Sequence, residues 1–166
     1  LPSRMSSDHR EFTELDDVDR GILHLLQSNA RNTATFIGEQ VGVSATTVTN
    51  RIEQLEDDGI IRGYDVDTDY EKAGLPLQVL FVCSAAPSDR PAFAEQAMDI
   101  QGVVNVRELL GGELNVHVVA VARTTERIEE VTTELHAIGF RVVSSVIVHA
   151  ESTKPWNQFQ TEENAE

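Results

Sequence analysis

Val41-Gly42-Val43-Ser44-Ala45-Thr46-Thr47-Val48-Thr49-Asn50-Arg51-Ile52 is the stretch on which the reading of this chain turns. Ser44 has the hydroxyl that accepts a hydrogen bond from a helix's unpaired first turn, so it opens a helix. Val48, Ile52 and Leu55 then recur on one face, and Gly59 ends the run. Immediately upstream, Gly42 breaks a shorter helix that Thr33 can cap and that carries Phe36, Ile37 and Val41. Gly38 lies inside that helix, where glycine costs about 1 kcal/mol relative to alanine. A close helix–helix crossing with no room for a side chain accounts for that cost. Further back, Asp16 or Asp17 caps a helix with Val18, Ile22, Leu25 and Leu26 on one side. Short helix, tight glycine turn and longer helix form a helix-turn-helix pattern.

The polar side of the third helix points to a ligand. With Val48, Ile52 and Leu55 inward, Thr46, Thr47, Asn50 and Arg51 project outward or flank the buried face. Together with Ser44 and Thr49 they offer hydroxyls, an amide and a guanidinium, the groups that bond phosphates and base edges in a DNA major groove. No carboxylate occurs from Gln40 to Ile52, although the chain has 28 acidic and 13 basic residues. Acids resume at Glu53, where such a helix leaves the groove. The competing reading is a threonine-rich helix in a winged helix that serves structure or protein binding.

Beyond Gly59, the β-prone residues Ile60, Ile61, Tyr64 and Val66 are expected to form a small wing or hinge strand, followed by an acidic connector. Leu77–Ser84 reads as a strand apolar on both faces. Ser88 or Asp89 starts a helix bearing Phe93, Ala97 and Ile100, closed by Gly102. Val103–Leu110 and Glu113–Ala122 read as strands joined by a tight hairpin at Gly111-Gly112. Thr124 or Thr125 opens a helix with Ile128, Val131, Leu135 and Ile138 in register, and Phe140–His149 is the last strand. The order β-α-β-β-α-β is the ferredoxin-like split motif. The fold class is therefore α+β. Expected boundaries are a disordered N-terminus over 1–14, a helix-turn-helix domain over 15–64 and a linker over 65–76. A ferredoxin-like domain for ligand sensing and oligomerisation follows over 77–151, then a tail over 152–166. Two helices cover only one sheet face, and the apolar character of the other calls for a second copy, a homodimer at least. The tail carries the sole tryptophan, Trp156, which either docks on a neighbouring subunit or belongs to a loosely held end.

Composition narrows the class. The net charge is −15, and Lys72 and Lys154 are the only lysines. An acidic, lysine-poor surface suits a protein in concentrated salt, where the screening length falls to about 3 Å at 1 M; this reads as a halophile. No apolar run is long enough to span a bilayer, and no signal-peptide pattern opens the chain. Residues before Met5 read as a cloning remnant. The single cysteine, Cys83, allows no intrachain disulfide and fits a reducing cytoplasm, where it reads as a small buried hydrophobe.

Leu15-Asp16-Asp17-Val18-Asp19-Arg20-Gly21-Ile22-Leu23, Val41-Gly42-Val43-Ser44, Val48-Thr49-Asn50-Arg51-Ile52 and Leu55-Glu56-Asp57-Asp58-Gly59-Ile60-Ile61-Arg62-Gly63-Tyr64 together resemble the Lrp/AsnC (feast/famine) regulators, in order and spacing. The resemblance runs from Leu15 to about Ala150 and is tightest in the first half. It implies sequence-specific transcription regulation, with a DNA-reading third helix and a dimerising βαββαβ domain that senses a small effector such as an amino acid. Dimers of such proteins often assemble into rings, up to octamers. Ser44, Val48, Arg51 and Ile52 match the family pattern, which implies a DNA contact for Arg51; Asn50 stands where a second basic residue is common. The family's effector motif, Gly-x-x-Asp, falls on Gly112-Glu113-Leu114-Asn115. Gly112, Leu114 and Asn115 are thus the implied effector contacts. Asn115 replaces the acid: it can hydrogen-bond an ammonium but not neutralise it.

Catalytic machinery is not visible. His117, His149 and Cys83 have no short metal-ligand spacing and read as sheet residues. The acid pairs Glu129-Glu130 and Asp57-Asp58 read as solvated helix faces, and no cofactor is expected. Two other functions share the architecture. One is a tetrapyrrole decarboxylase of the sirohaem type, which needs a large pocket lined by bases and histidines. The other is a ligand sensor whose helix-turn-helix serves only in assembly.

Overall fold

The computed structural model describes residues 12–156 and divides into two compact units. The first is built on the chain up to Val66 together with the segment from Ser152; the second runs from Asp67 to Glu151.

Three helices make the first unit: α1 (Asp17–Ser28), α2 (Ala34–Val41) and α3 (Ala45–Asp57). Each starts where a short polar side chain caps it. Asp16 caps α1 through a reciprocal pair, its carboxylate accepting from the Asp19 N–H at 2.9 Å while the Asp19 carboxylate accepts from the Asp16 N–H at 3.2 Å. Thr33 and Ser44 accept from the N–H groups of Phe36 and Thr47. Such caps are worth about 1 kcal/mol each. The core comprises Ile22, Leu23, Ile37, Val48 and Leu55, with Ile52, Ile60 and Ile61 packed against it. Ile60 and Ile61 are thus spent on the core, and no wing strand forms over Ile60–Val66. Burial overrides their β propensity.

Gly38 lies against the turn itself rather than at a crossing of two helices. A Cβ there would stand 2.5 Å from the Val43 carbonyl oxygen and 3.3 Å from the Ser44 carbonyl carbon. Gly42 takes φ 78°, the left-handed conformation that lets the chain reverse within so short a link.

The second unit contains β1 (Leu77–Ser84), α4 (Arg90–Met98), β2 (Val103–Glu108), β3 (Val116–Ala122), α5 (Thr125–Ile138) and β4 (Arg141–Ile147). The sheet order is β2-β3-β1-β4 with every neighbour antiparallel, the ferredoxin-like arrangement. Both helices pack on the face that carries Val79, Phe81, Cys83, Val116, Val118 and Ala120. Phe93 of α4 meets Phe140 edge-on, with ring centroids 5.4 Å apart. The same ring lies where a Cβ on Gly139 would stand, at 2.7 Å, so glycine both ends α5 and admits the aromatic pair.

Two boundaries depart from the sequence reading. β2 and β3 are joined by a broad loop rather than a two-residue hairpin: β3 begins at Val116, and the Leu109 N–H bonds the Asn115 carbonyl at 2.8 Å. β4 spans Arg141–Ile147 and is bulged, since Val82 and Cys83 pair with Ser144 and Val142, leaving Val143 without a partner on β1. Among the described residues no helix is long and apolar enough to cross a membrane. Residues 1–11 of the expected N-terminal segment and the tail from 157 onward lie outside the described residues; Trp156 is half-exposed.

Candidate nucleic-acid interface

α3 buries Val48 and Leu55 and turns Thr46, Thr49, Asn50, Glu53 and Gln54 to solvent. At 100° per residue, Thr46 and Asn50 lie almost opposite the core-facing valine and leucine. The first two turns of the exposed stripe therefore carry a hydroxyl and an amide, and its first carboxylate is Glu53.

The remaining residues of the expected set are held by local bonds. Ser44 Oγ accepts from the Thr47 N–H at 3.1 Å and lies 2.9 Å from Thr47 Oγ1, so both hydroxyls help build the helix start. Thr49 Oγ1 donates to the Ala45 carbonyl at 3.1 Å, leaving its lone pairs and methyl group facing out. Arg51 takes the flanking one of its two expected positions. Its Nη1 donates to Asp16 Oδ2 at 2.7 Å and to the two Asp19 oxygens at 3.1 and 3.3 Å. The guanidinium lies along the flank of α3 against the start of α1, not on the outward stripe. The two carboxylates hold it charged, raising its pKa through the Asp16 hydrogen bond first.

Sequence reasoning missed two other cations. Arg31, before α2, and Arg62, after α3, are exposed and make no side-chain ion pair among the described residues. Arg20 is engaged with Asp17 at 3.3 Å. No sequence signal separates them from paired arginines: Arg62 has Asp58 four residues before it and Asp65 three after it, yet pairs with neither.

The implied effector region also differs from expectation. Gly112 and Leu114 are exposed, but Asn115 is only 4% exposed. Its Nδ2 donates to the Ala85 carbonyl at 2.8 Å and its Oδ1 accepts from the Ala85 N–H at 3.0 Å. Those bonds commit the amide to the end of β1, so Asn115 does not present itself to an ammonium. The loop is held further by Arg90, which donates to the Leu109 carbonyl at 2.9 Å and pairs with Glu108, and by the Arg141–Glu113 ion pair. Cys83 and His117 sit at adjacent register positions and so point to opposite sheet faces. They cannot share a metal ion.

A three-helix unit with such a stripe, followed by a ferredoxin-like unit, defines a two-domain helix-turn-helix regulator. Comparison with known proteins narrows the class. Residues 15–56 match the model of the AsnC-type helix-turn-helix domain. The chain is 36% identical over 124 residues to the HTH-type transcriptional regulator AldR of Mycobacterium tuberculosis, covering 73% of this chain and 69% of that protein. It is 31% identical to an uncharacterized HTH-type transcriptional regulator of Pyrococcus horikoshii, over 82% of this chain and 97% of the relative. The crystal structure of the mycobacterial AldR superposes with a TM-score of 0.72 at 30% identity, over 86% of this chain and 99% of that one. A transcriptional regulator of Neisseria meningitidis, solved as an L-Met complex, gives a TM-score of 0.72 at 29% identity, over 86% and 94% of the two chains. This chain belongs to the Lrp/AsnC family. It is a DNA-binding transcriptional regulator and not an enzyme of tetrapyrrole chemistry.

Proposed function

We propose that this regulator reads its operator through the outward stripe of α3, with Thr46, Thr49 and Asn50 at base edges, Ser44 and Thr47 shaping the helix start beside a phosphate, and Arg31 and Arg62 as phosphate anchors. One observation carries the reading: the exposed side of the first two turns of α3 holds hydroxyls and an amide but no carboxylate, in a chain of net charge −15. Carboxylates there would repel phosphates, whereas amides bond bidentately to adenine. DNA fragments selected by the purified protein from a random pool supply the test. Asn50→Ala is expected to weaken binding to the selected site about tenfold and to relax preference at one or two base pairs. An unchanged base preference would overturn the assignment.

The working unit is a homodimer formed on the sheet face opposite α4 and α5. There the register aligns Leu80 with Val119 and Val146, and Val82 beside them. A two-fold pair would place two α3 helices in successive major grooves. Val146→Asp should yield a monomer in sedimentation and lose high-affinity operator binding; a stable dimer from that variant contradicts this interface. The effector is of the amino-acid class, a reading supported by the L-Met complex of the Neisseria relative. Gly112 and Leu114 belong to its neighbourhood, and backbone groups of the loop, rather than the Asn115 side chain, meet its polar ends. Titration calorimetry with L-methionine and a panel of other amino acids tests this; no heat from any member would refute it. A cytoplasmic location follows from this work on DNA.

A further inference from the structure

We propose that Arg51 is a positioning residue for DNA reading: it fixes the rotation of α3 by clamping that helix to the capping box of α1, and does not itself touch DNA. The inference rests on α3 being the reading helix.

Three observations point this way. First, one guanidinium nitrogen is shared by two carboxylates that already bond each other's backbone N–H groups, so Arg51, Asp16 and Asp19 form one closed unit. Secondly, Asp19 is a buried carboxylate, 7% exposed, with both oxygens engaged by Arg51. Without the guanidinium a buried charge would stand uncompensated beside a second carboxylate. Thirdly, among the described residues these are the only hydrogen bonds joining α1 to α3, and the other contacts of α3 with the core run through Val48, Leu55 and Ile52. Apolar contacts are non-directional and tolerate a small rotation. A charge-assisted bond of 2.7 Å does not.

Arg51 is one residue from Asn50, so the bond that fixes the first sets the heading of the second. A turn of α3 about its axis in one sense would move Asn50 off the base edges. In the other sense it would bring Glu53 toward the phosphates. The acid-free stripe is useful only while the clamp holds.

The decisive comparison is between Arg51→Gln and Asp19→Asn, each measured for affinity to the selected DNA site across a salt series, with Arg62→Gln and Asn50→Ala as references. A clamp predicts that both Arg51→Gln and Asp19→Asn weaken specific binding about tenfold, that the double variant is no worse than either, and that the salt slope stays as in the wild type. Arg51→Lys, which keeps a cation within reach of one carboxylate, should recover part of the loss and also serves if the glutamine variant does not fold. A DNA contact predicts the reverse. Arg51→Gln would then lower the salt slope by about one, as a phosphate-binding Arg62 should, while Asp19→Asn, by releasing the guanidinium, would bind as well or better. That result, or wild-type binding by Arg51→Gln, overturns the proposal. Retention of full base preference by Asn50→Ala would instead show that α3 is not the reader, a failure visible separately from the Arg51–Asp19 comparison.

Discussion

Asn115 and Ala85 exchange two hydrogen bonds, the side-chain amide of one matching the peptide N–H and carbonyl of the other at 3.0 and 2.8 Å. The amide continues the antiparallel ladder one step beyond the Cys83–Val116 pair, doing with a side chain what a strand residue does with its backbone. The bond requires a donor as well as an acceptor. Asn115→Asp keeps the acceptor, removes the donor and sets a buried carboxylate against the Ala85 carbonyl. The variant should lose about 2 kcal/mol in urea denaturation at neutral pH. It should recover as the pH falls and the new carboxyl takes a proton, because burial raises its pKa above that of a free aspartate. Equal stability of the two proteins at pH 7 would contradict this.

Gly38→Ala should cost more than the helix propensity of alanine returns. The new methyl would lie 2.5 Å from the Val43 carbonyl oxygen, a backbone atom with no freedom to swing aside. Alanine favours the helix by about 1 kcal/mol, yet a net loss of about 2 kcal/mol is expected from the overlap. Thermal unfolding of the variant measures it. A gain in Tm would show that the turn yields.

Cys83 should be inert in the folded protein. Burial pushes its thiol from the ordinary 9.0 up to about 11, so almost no thiolate exists at pH 8. A disulfide reagent at that pH should label it only as fast as the chain opens, and at full speed in denaturant. Rapid labelling of native protein would refute the burial.

The helix-turn-helix unit should be acid-sensitive through Asp16. The Asp19 N–H hydrogen bond, and after it the Arg51 guanidinium, hold the Asp16 carboxyl below its ordinary value of 3.8. A lowered folded pKa means that the contribution is complete above 3.8 and is lost as pH falls through the lower, folded value. Asp16→Asn should therefore lessen the pH dependence of unfolding in that acid window and leave its slope near neutrality unchanged. Half of the Asp16 side chain is solvent-exposed, so the effect should be modest.

Much of the three-helix unit was legible because its instructions are local. Asp16, Thr33 and Ser44 each act within three residues, and the apolar spacing of Ile22, Ile37, Val48 and Leu55 needs no knowledge of the rest. The strands of the second unit were equally plain, since Leu77–Ser84 is a bounded apolar run. What escaped was decided at a distance. Ile60 and Ile61 look like strand residues until the core that absorbs them is known. The Gly111-Gly112 pair looks like a hairpin until Asn115 is seen to be tied to Ala85, thirty residues back in the chain. Whether Arg51 projects outward or flanks the core is open until Asp16 and Asp19 are brought beside it across 35 and 32 residues. Of the candidate site, Thr46 and Asn50 stand where helical geometry put them. The free cations Arg31 and Arg62 could not be told from paired ones without coordinates.

The clamp between the first and third helices has a genetic consequence. A selection for loss of operator binding would recover changes at Asp19 and Asp16 together with changes at Asn50, and footprints would class all three as operator-blind. Second-site suppressors would separate them: altered operators can rescue the Asn50 class, whereas no single operator sequence can rescue a reader that has lost its heading.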